Sequence, residues 1–290
     1  MTTLTLDPPQ GRSTLPFTDA RHPQRPLEVN LYRPAAHGPD DEVVFVQHGM
    51  LRNGDEYRDF WIEAAEKHNL LIVAPTFGNA HFPQPESYNN GLVVGEDGVV
   101  AAQDDWLYAV PGRVLAALRQ AGVTRRDKVR LFGHSAGGQF AHRLLATQAE
   151  TPFSVVFAAN SGWYTLPTLE RRFPEGLGGL GFGEAELARW LALPMVIFAG
   201  DQDIVTGDPS LPSQSEALAQ GPMRYARAHF MLDFASKEAA RLGLTCNWSL
   251  LTVPGIGHDG AAMSRAAAAY WYEGRIPSVE ELKPEAMAVA

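Results

Sequence analysis

The chain contains a serine in a spacing that suits nucleophilic chemistry. Residues 133–137, GHSAG, match the pattern G-x-S-x-G, in which a serine occupies a strained turn with small neighbours on both sides. The apolar run VRLF (129–132) precedes this turn, and the helical stretch QFAHRLLATQ (139–148) follows it. A buried strand, a turn and a helix in this order are the context that the pattern requires. We therefore predict that Ser135 attacks a carbonyl carbon, in preference to the alternative of a tight corner that only needs small side chains.

A serine nucleophile needs two partners, because an imidazole must accept its proton and a carboxylate must hold that imidazole in one tautomer. The loop PGIGHDG after the apolar run 248–253 supplies His258, the predicted general base. The loop GDQDIVTGD after the run 194–199 supplies Asp203, which stands three residues past the glycine that follows the run, as the predicted acid. Two other carboxylates of this loop are alternatives for that role: Asp201 and Asp208. Three acidic residues in one loop are weak evidence for a calcium or magnesium site, and no metal is expected.

Attack on a carbonyl produces an oxyanion, which needs hydrogen-bond donors already in place. In a turn of this kind the backbone N–H after the serine, that of Ala136, is one donor, and the loop after an early strand supplies another. The segment VVFVQHGM fits this requirement, since His48 and Gly49 come directly after an apolar run. The N–H of Met50 is the predicted second donor, and the alternative for this segment is a plain turn.

These residues need a sheet whose strands end at one edge. Short apolar runs alternate with helical stretches, which is typical of a mostly parallel sheet covered by helices on both faces. The predicted strands are the following runs: 27–33, 42–47, 70–74, 129–132, 153–158, 194–199 and 248–253. The first run is expected to be an antiparallel edge strand. The chain order serine, aspartate, histidine, with each residue after its own strand, is the order expected of an α/β-hydrolase fold with an eight-stranded type of sheet.

Apolar residues at helical spacing predict the helices between the strands. These helices cover 57–68, 105–122, 139–148 and 261–274. Pro111 implies a kink in the second helix or a division into two shorter ones. The last segment, 275–290, is expected to be a loosely held tail.

Two segments fit neither the strand nor the helix pattern. Residues 160–192 and 206–230 are rich in glycine, proline and aromatic residues, and each follows a predicted strand. Both would project from the edge of the sheet at which open α/β folds bind ligands. Since no internal repeat or linker is evident, we predict a single domain over 1–290 in which these insertions form a small lid.

The composition argues against two classes of partner. The formal net charge is −9 without a long run of either sign, so the surface is expected to repel nucleic-acid phosphates and anionic lipid headgroups. No segment approaches the roughly 18 apolar residues of a membrane span, and the N-terminus lacks a basic and apolar leader, so a cytoplasmic location is expected. Cys246 is the only cysteine, which excludes an internal disulfide and a multi-cysteine zinc site. The sequence does not indicate an oligomeric state.

A glycine-rich segment, GLGGLG at 176–181, formally satisfies the dinucleotide-binding pattern G-x-G-x-x-G. It follows ERRFPE and not a strand, so it lacks the context that nucleotide binding requires. We interpret this segment as part of a flexible lid and expect no cofactor.

Several of these motifs together resemble a known family. They are QHGMLRNGDEYRDFW, LFGHSAGGQFAHR, AANSGWYTLP, GDQD and PGIGHDGAAM, spread over about residues 40–275. The chain resembles bacterial α/β-hydrolase serine esterases near the polyhydroxyalkanoate-depolymerase-like and feruloyl-esterase-like branch. The resemblance implies a nucleophile, acid and base at Ser135, Asp203 and His258, and backbone donors at Met50 and Ala136.

The substrate pocket is predicted only in outline. The segment NSGWYTLP begins where the strand 153–158 ends, so Trp163 and Tyr164 are candidates for substrate contact, and Tyr88 is a weaker one. An aromatic, mostly uncharged lining would favour hydrophobic or aromatic esters as small-molecule substrates. A thioesterase, a peptidase or an acyltransferase would use the same residues, and a non-catalytic small-molecule-binding protein is the alternative of another class.

Overall fold

The protein, described here by a computed structural model over residues 6–284, is built on one mixed sheet. Within that range the sheet has eight strands in the order β1-β2-β4-β3-β5-β6-β7-β8. The strand bounds in chain order are Gly11–Phe17, Leu27–Arg33, Val43–Gln47, Leu71–Thr76, Val129–His134, Phe153–Ala159, Met195–Gly200 and Trp248–Val253. The strands β3 to β8 pair in parallel, so their carboxyl ends lie at one edge. This topology confirms the predicted α/β-hydrolase fold.

Helices α1 to α7 lie between the strands along the chain, and α8 and α9 follow the last strand. Their bounds in chain order are Gly54–Asp59, Ile62–His68, Val110–Gln120, Ala136–Thr147, Glu184–Ala192, Ser215–Leu218, Arg224–Arg241, Gly260–Glu273 and Val279–Leu282. The predicted helix 57–68 is divided between α1 and α2, and the predicted helix 105–122 is shorter than expected. Pro111 does not kink that helix but lies in its first turn, where the missing N–H costs nothing. Between residues 6 and 284 no helix has both the length and the apolarity to cross a membrane.

The predicted edge position of the first strand is wrong. Strand β2 is antiparallel, as expected, but it pairs with β4 on one side and with β1 on the other. The edge strand is β1, with the sequence GRSTLPF, whose alternate residues are exposed. Its glycine, proline and polar residues hide the strand pattern in the sequence, and those features are typical of edge strands.

The two faces of the sheet bury separate apolar cores. Along β3, Val43 and Phe45 pack on one face, whereas Val44 and Val46 pack on the other, because successive strand side chains point in opposite directions. Helices α3, α4, α5 and α7 cover the first face, and α1, α2 and α8 cover the second. Strands buried on both faces read as continuous apolar runs, which is why the sequence identified them.

The segment after α8 is more firmly held than expected. Ser278 caps α9, where its hydroxyl accepts a hydrogen bond from the backbone N–H of Glu281. Leu282 is buried against the second core, and its carbonyl accepts a hydrogen bond from Arg265 at 2.9 Å. The rest of the predicted tail, residues 285–290, lies outside the described residues.

Candidate active site

Ser135 lies at a sharp turn between β5 and α4. Its backbone has φ +58° and ψ −117°, a conformation that costs a non-glycine residue of the order of 1–3 kcal/mol and that occurs mainly at functional sites. The turn requires close backbone approach, because a Cβ atom at Gly133 would collide with the carbonyl of Gly137, and one at Gly137 would collide with the carbonyl of Gln47. The glycines of the sequence pattern are therefore needed for space on both sides of the serine.

Three predicted residues come together at the carboxyl edge of the sheet. Nε2 of His258 lies 3.0 Å from Oγ of Ser135, and Nδ1 of the same ring lies 2.7 Å from Oδ2 of Asp203. The Asp203 side chain is only 2% exposed, whereas that of His258 is 24% exposed. A buried carboxylate thus holds an accessible imidazole, which in turn contacts the serine hydroxyl.

The two alternative acids have other partners. Oδ1 of Asp201 accepts a hydrogen bond from the backbone N–H of Gly255 at 2.8 Å. Asp208 pairs with Arg224 at 2.9 Å and accepts hydrogen bonds from the backbone and hydroxyl of Ser210. Burial opposes ionisation of Asp208, but the bonds from Ser210 and the charge of Arg224 prevail and lower its pKa to about 2. Of the three carboxylates of this loop, only that of Asp203 contacts His258.

Arg224 also belongs to this cluster, although no sequence motif indicates it. Its Nη1 lies 3.5 Å from Oδ1 of Asp203 and 2.9 Å from Oδ2 of Asp208, and its Nη2 donates to the Ser210 hydroxyl at 2.8 Å. The Arg224 side chain is 1% exposed. It places a positive charge beside Oδ1 of Asp203, whereas His258 contacts Oδ2. The segment GPMRYARAHF carries no pattern that indicates this role.

The two predicted backbone donors flank the serine. Ala136 is the first residue of α4, so its N–H has no partner within the helix. On the other side, a Cβ atom at Gly49 would lie 3.6 Å from Cβ of Ser135, which places the loop of Met50 directly against the turn. Within residues 6–284, no backbone carbonyl accepts a hydrogen bond from the N–H of Met50.

The loop that carries Met50 is held by buried aromatic contacts. Tyr88 donates a hydrogen bond to the carbonyl of His48 at 2.7 Å, and the two rings stack with centroids 4.6 Å apart. His48 is buried, and Nε2 of its ring accepts a hydrogen bond from the N–H of Phe77 at 3.0 Å. Burial lowers the pKa of His48 to about 3, so this ring is neutral at pH 7. Tyr88 has no exposed surface, and the structure gives it this supporting position and not the expected substrate contact.

His134, beside the serine, is also neutral. Its pKa lies well below the usual value because the ring is buried and because the charges of His258 and Arg224 disfavour protonation. Nδ1 of His134 lies 2.7 Å from the hydroxyl of Tyr57, and its ring centroid lies 4.7 Å from that of His258. His134 thus packs against His258 as an uncharged ring.

A cavity of about 830 Å³ lies next to the serine. Ser135 is not itself among the residues that line it, but Met50, from the loop against the serine turn, and Gln139, one turn after the serine on α4, both do. Both predicted insertions contribute to its wall, the first through Trp163 and residues 172–175, the second through residues 209–214 and Glu216.

Of the two aromatic residues expected in this wall from NSGWYTLP, only one reaches it. Trp163 lines the cavity. Tyr164 is fully buried, and its backbone N–H and carbonyl bond the side-chain amide of Gln220 at 2.8 and 2.7 Å. The structure therefore does not bring Tyr164 to the cavity surface.

Two solved structures resemble the chain over almost its whole length. LpqC, a poly(3-hydroxybutyrate) depolymerase from Bordetella parapertussis, shares 54% sequence identity with a TM-score of 0.92, and the match covers 95% of this chain and 94% of that one. The chain belongs to the α/β-hydrolase serine esterases of the poly(3-hydroxybutyrate)-depolymerase-like branch. This membership confirms the resemblance that the sequence motifs carry and makes the chain a carboxylic-ester hydrolase.

Other structures are similar to this depolymerase-like esterase at lower identity. Poly(aspartic acid) hydrolase-1 from Sphingomonas sp. KT-1 shares 33% identity with a TM-score of 0.87, over 89% of this chain and 97% of that one. An S-formylglutathione hydrolase from Agrobacterium tumefaciens shares 16% identity with a TM-score of 0.60, over 96% of this chain and 100% of that one, and supports the fold alone. No protein-family model matches the chain, and no curated protein matches it.

Proposed function

We propose that this esterase cleaves carboxylic esters through an acyl-enzyme, with Ser135 as nucleophile, His258 as general base and Asp203 as the acid that orients the base. As Oγ of Ser135 attacks the carbonyl carbon, Nε2 of His258 accepts the hydroxyl proton, and the imidazolium then gives that proton to the leaving alcohol. Water takes the place of the alcohol in the second half of the reaction and releases the acid. The unbroken contact from Ser135 through His258 to Asp203 is the observation that carries this proposal.

The proposed oxyanion donors are the backbone N–H groups of Ala136 and Met50. Donors placed in advance are the largest single contribution to many acyl-transfer reactions, because they stabilise negative charge without having to reorganise. The position of Ala136 at the start of a helix adds the favourable end of the helix dipole to this site. The aromatic contacts of His48 support the second donor, because they fix the loop that carries Met50.

The charges around the cavity favour an uncharged substrate. Glu86, Glu175 and Glu216 line the wall together with Arg172. Glu175 already pairs with Arg171, and within residues 6–284 the other three form no ion pair, so the unpaired charges of the wall are two carboxylates and one guanidinium. With a formal net charge of −9 for the whole chain, the local potential is expected to repel anionic polymers.

The names of the relatives suggest which uncharged esters to consider. LpqC is named for poly(3-hydroxybutyrate), a neutral polyester, and the Sphingomonas relative is named for poly(aspartic acid), an anionic polyamide. The wall charges and the higher identity both favour the first type. We therefore propose uncharged esters of hydroxyalkanoate type, in preference to an anionic polyamide, as the substrate class.

Other reactions could use the same three residues. A thioesterase, a peptidase and an acyltransferase differ from an esterase in the leaving group or the acyl acceptor and not in the serine, histidine and aspartate. A protein that only binds a small molecule has no need of a strained serine in contact with an oriented imidazole.

The test is a comparison of initial rates on p-nitrophenyl esters from acetate to dodecanoate and on soluble oligomers of 3-hydroxybutyrate and of aspartate. Ser135→Ala is the blank for every substrate. We expect serine-dependent turnover of the neutral esters and oligomers and a much lower rate on oligoaspartate. Turnover of oligoaspartate alone would overturn the substrate class, and rates equal to the blank on all substrates would overturn the proposed function.

A further inference from the structure

The cavity contains a buried amide with an unused hydrogen-bond donor. Gln139 lies one turn after Ser135 on α4, and its backbone N–H donates to the Ser135 carbonyl at 3.1 Å. Its side chain lines the cavity, although the residue as a whole is only 4% exposed. The amide is therefore close to the serine, largely withdrawn from solvent and open to a bound molecule.

A neighbour fixes the direction of this amide. Nδ2 of Asn89 donates to Oε1 of Gln139 at 3.0 Å, which turns Nε2 of Gln139 away from Asn89. In the part of the chain that the structure describes, Nε2 donates no hydrogen bond. The hydrogen bond from Asn89 to Oε1 thus fixes the position of Nε2 in the same side-chain amide.

Glycine at position 162 provides space for this donor. A Cβ atom at Gly162 would lie 2.9 Å from Nε2 of Gln139 and 2.9 Å from Cδ of Pro212, closer than real side chains approach. A side chain at this position would therefore press on the amide and narrow the space beside it. The absence of one leaves the donor accessible from the cavity.

Nε2 of Gln139 is not among the buried polar atoms without a partner, so the donor keeps accessible surface in the cavity. A substrate that fills this part of the cavity removes that access, and the donor is then left unpaired unless the substrate supplies an acceptor, at a cost of about 1–3 kcal/mol. A site of this kind discriminates strongly against a competitor that lacks the polar atom. Because the amide is neutral and the wall carries excess carboxylates, the matching acceptor is an uncharged oxygen.

We propose that Gln139 is a specificity-determining residue, whose Nε2 donates a hydrogen bond to an ether, hydroxyl or carbonyl oxygen of the substrate other than those of the scissile ester. This inference rests on the proposed ester hydrolysis and adds to it a subsite. The subsite favours oxygen-bearing substrates over hydrocarbon ones of the same shape.

The test uses pairs of esters in which one CH₂ group is replaced by oxygen. Three pairs vary the acyl group of p-nitrophenyl esters, namely methoxyacetate with butanoate, 3-methoxypropanoate with pentanoate, and 4-methoxybutanoate with hexanoate. A fourth pair varies the alcohol, namely 2-methoxyethyl butanoate with butyl butanoate. Within each pair, kcat/KM for the oxygen-bearing ester is divided by kcat/KM for its hydrocarbon partner, in the wild type and in Gln139→Leu. The intrinsic reactivity of the esters is the same for both enzymes, so it cancels when the two ratios are compared.

We expect the ratio to fall by about 3- to 10-fold in Gln139→Leu for the pair whose oxygen reaches the amide, as for the loss of one neutral hydrogen bond. Gln139→Glu keeps the acceptor for Asn89 but loses the donor, so we expect the ratio for that pair to fall at least as far. If Gln139→Leu does not fold, Gln139→Glu tests the proposed hydrogen bond in its place. Gln120→Leu is the control, because Gln120 is exposed at the end of α3 and does not line the cavity.

Ratios that are unchanged in every pair, with both variants folded and active, would overturn the inference while leaving the esterase proposal intact. If the wild type hydrolyses none of the eight esters above the Ser135→Ala blank, the proposed function itself fails, and this inference fails with it.

Discussion

The guanidinium of Arg224 lies 3.5 Å from the carboxylate of Asp203, and both side chains are almost completely buried. Asp203 therefore has a positive group on one side and the imidazole of His258 on the other. The same guanidinium binds Asp208, whose neighbour Ser210 belongs to the cavity wall. Arg224 thus connects the wall of the cavity to the carboxylate that contacts His258.

We predict that Arg224→Leu lowers the free energy of unfolding by about 3 kcal/mol or more, because it removes the cation beside the buried carboxylate of Asp203. Denaturant unfolding measures this change. The control is Arg241→Leu in the same helix, whose ion pairs are exposed and which should change stability by less than about 1 kcal/mol. Equal effects of the two substitutions would show that Arg224 has no special role.

The acid of the triad can be identified by single substitutions. Asp203→Asn should lower kcat by roughly 10⁴-fold, because the amide favours the wrong tautomer of the His258 imidazole. Asp201→Asn, the matched control from the same loop, should stay within about tenfold of the wild type, because Asp201 bonds Gly255 and not the base. Near-normal turnover by Asp203→Asn would contradict the assignment.

The low pKa of Asp208 predicts a pH dependence of stability. The folded state favours the ionised carboxylate, so the contribution is complete above the ordinary value of 3.8 and is lost as the pH falls towards 2. We expect Asp208→Asn to be less stable than the wild type by about 1–2 kcal/mol at pH 6, with a difference that shrinks below pH 4. Unfolding curves from pH 6 to pH 3 measure this.

Asp233→Asn is the control for that experiment, because Asp233 is exposed in an ion pair with Lys237. Its effect should stay below about 1 kcal/mol throughout. A difference for Asp208→Asn that grows as the pH falls would contradict the assigned direction of the pKa shift.

The glycines of the serine turn should tolerate no side chain. Gly137→Ala places a methyl group against the carbonyl of Gln47, so we expect a loss of several kcal/mol or no folded protein. Gly112→Ala is the matched control, since Gly112 also lies in the first turn of a helix but has open space around its Cα. That substitution should stabilise the protein by about 0.5–1 kcal/mol, and thermal unfolding compares the two. A stable, active Gly137→Ala enzyme would show that the close approach is not required.

The sequence predicts the fold and the convergence of Ser135, His258 and Asp203 for a physical reason. Each residue follows a separate parallel strand, and the carboxyl ends of β5, β7 and β8 lie at one edge of the sheet. The apolar runs are recognisable because these strands are buried on both faces. Local patterns thus determine where each residue must lie even though 123 positions separate the serine from the histidine.

The contacts made by long side chains could not be predicted in this way. Arg224 meets its two acidic partners across 16 and 21 positions of irregular chain, and no periodic pattern links them. Tyr88 and Tyr164 have the residue type expected of a pocket wall, but packing turns them into the interior. Sequence shows which residues are aromatic, whereas the path of the loops decides which of them face the cavity.

The most direct test of the central claim is covalent labelling of the serine. The protein is treated with a stoichiometric fluorophosphonate, its intact mass is measured, and the modified peptide is sequenced by mass spectrometry. We predict one adduct on Ser135 and parallel loss of esterase activity, with no adduct on Ser135→Ala and much slower labelling of His258→Ala. Absence of an adduct, or an adduct on another residue while esterase activity persists, would contradict the account.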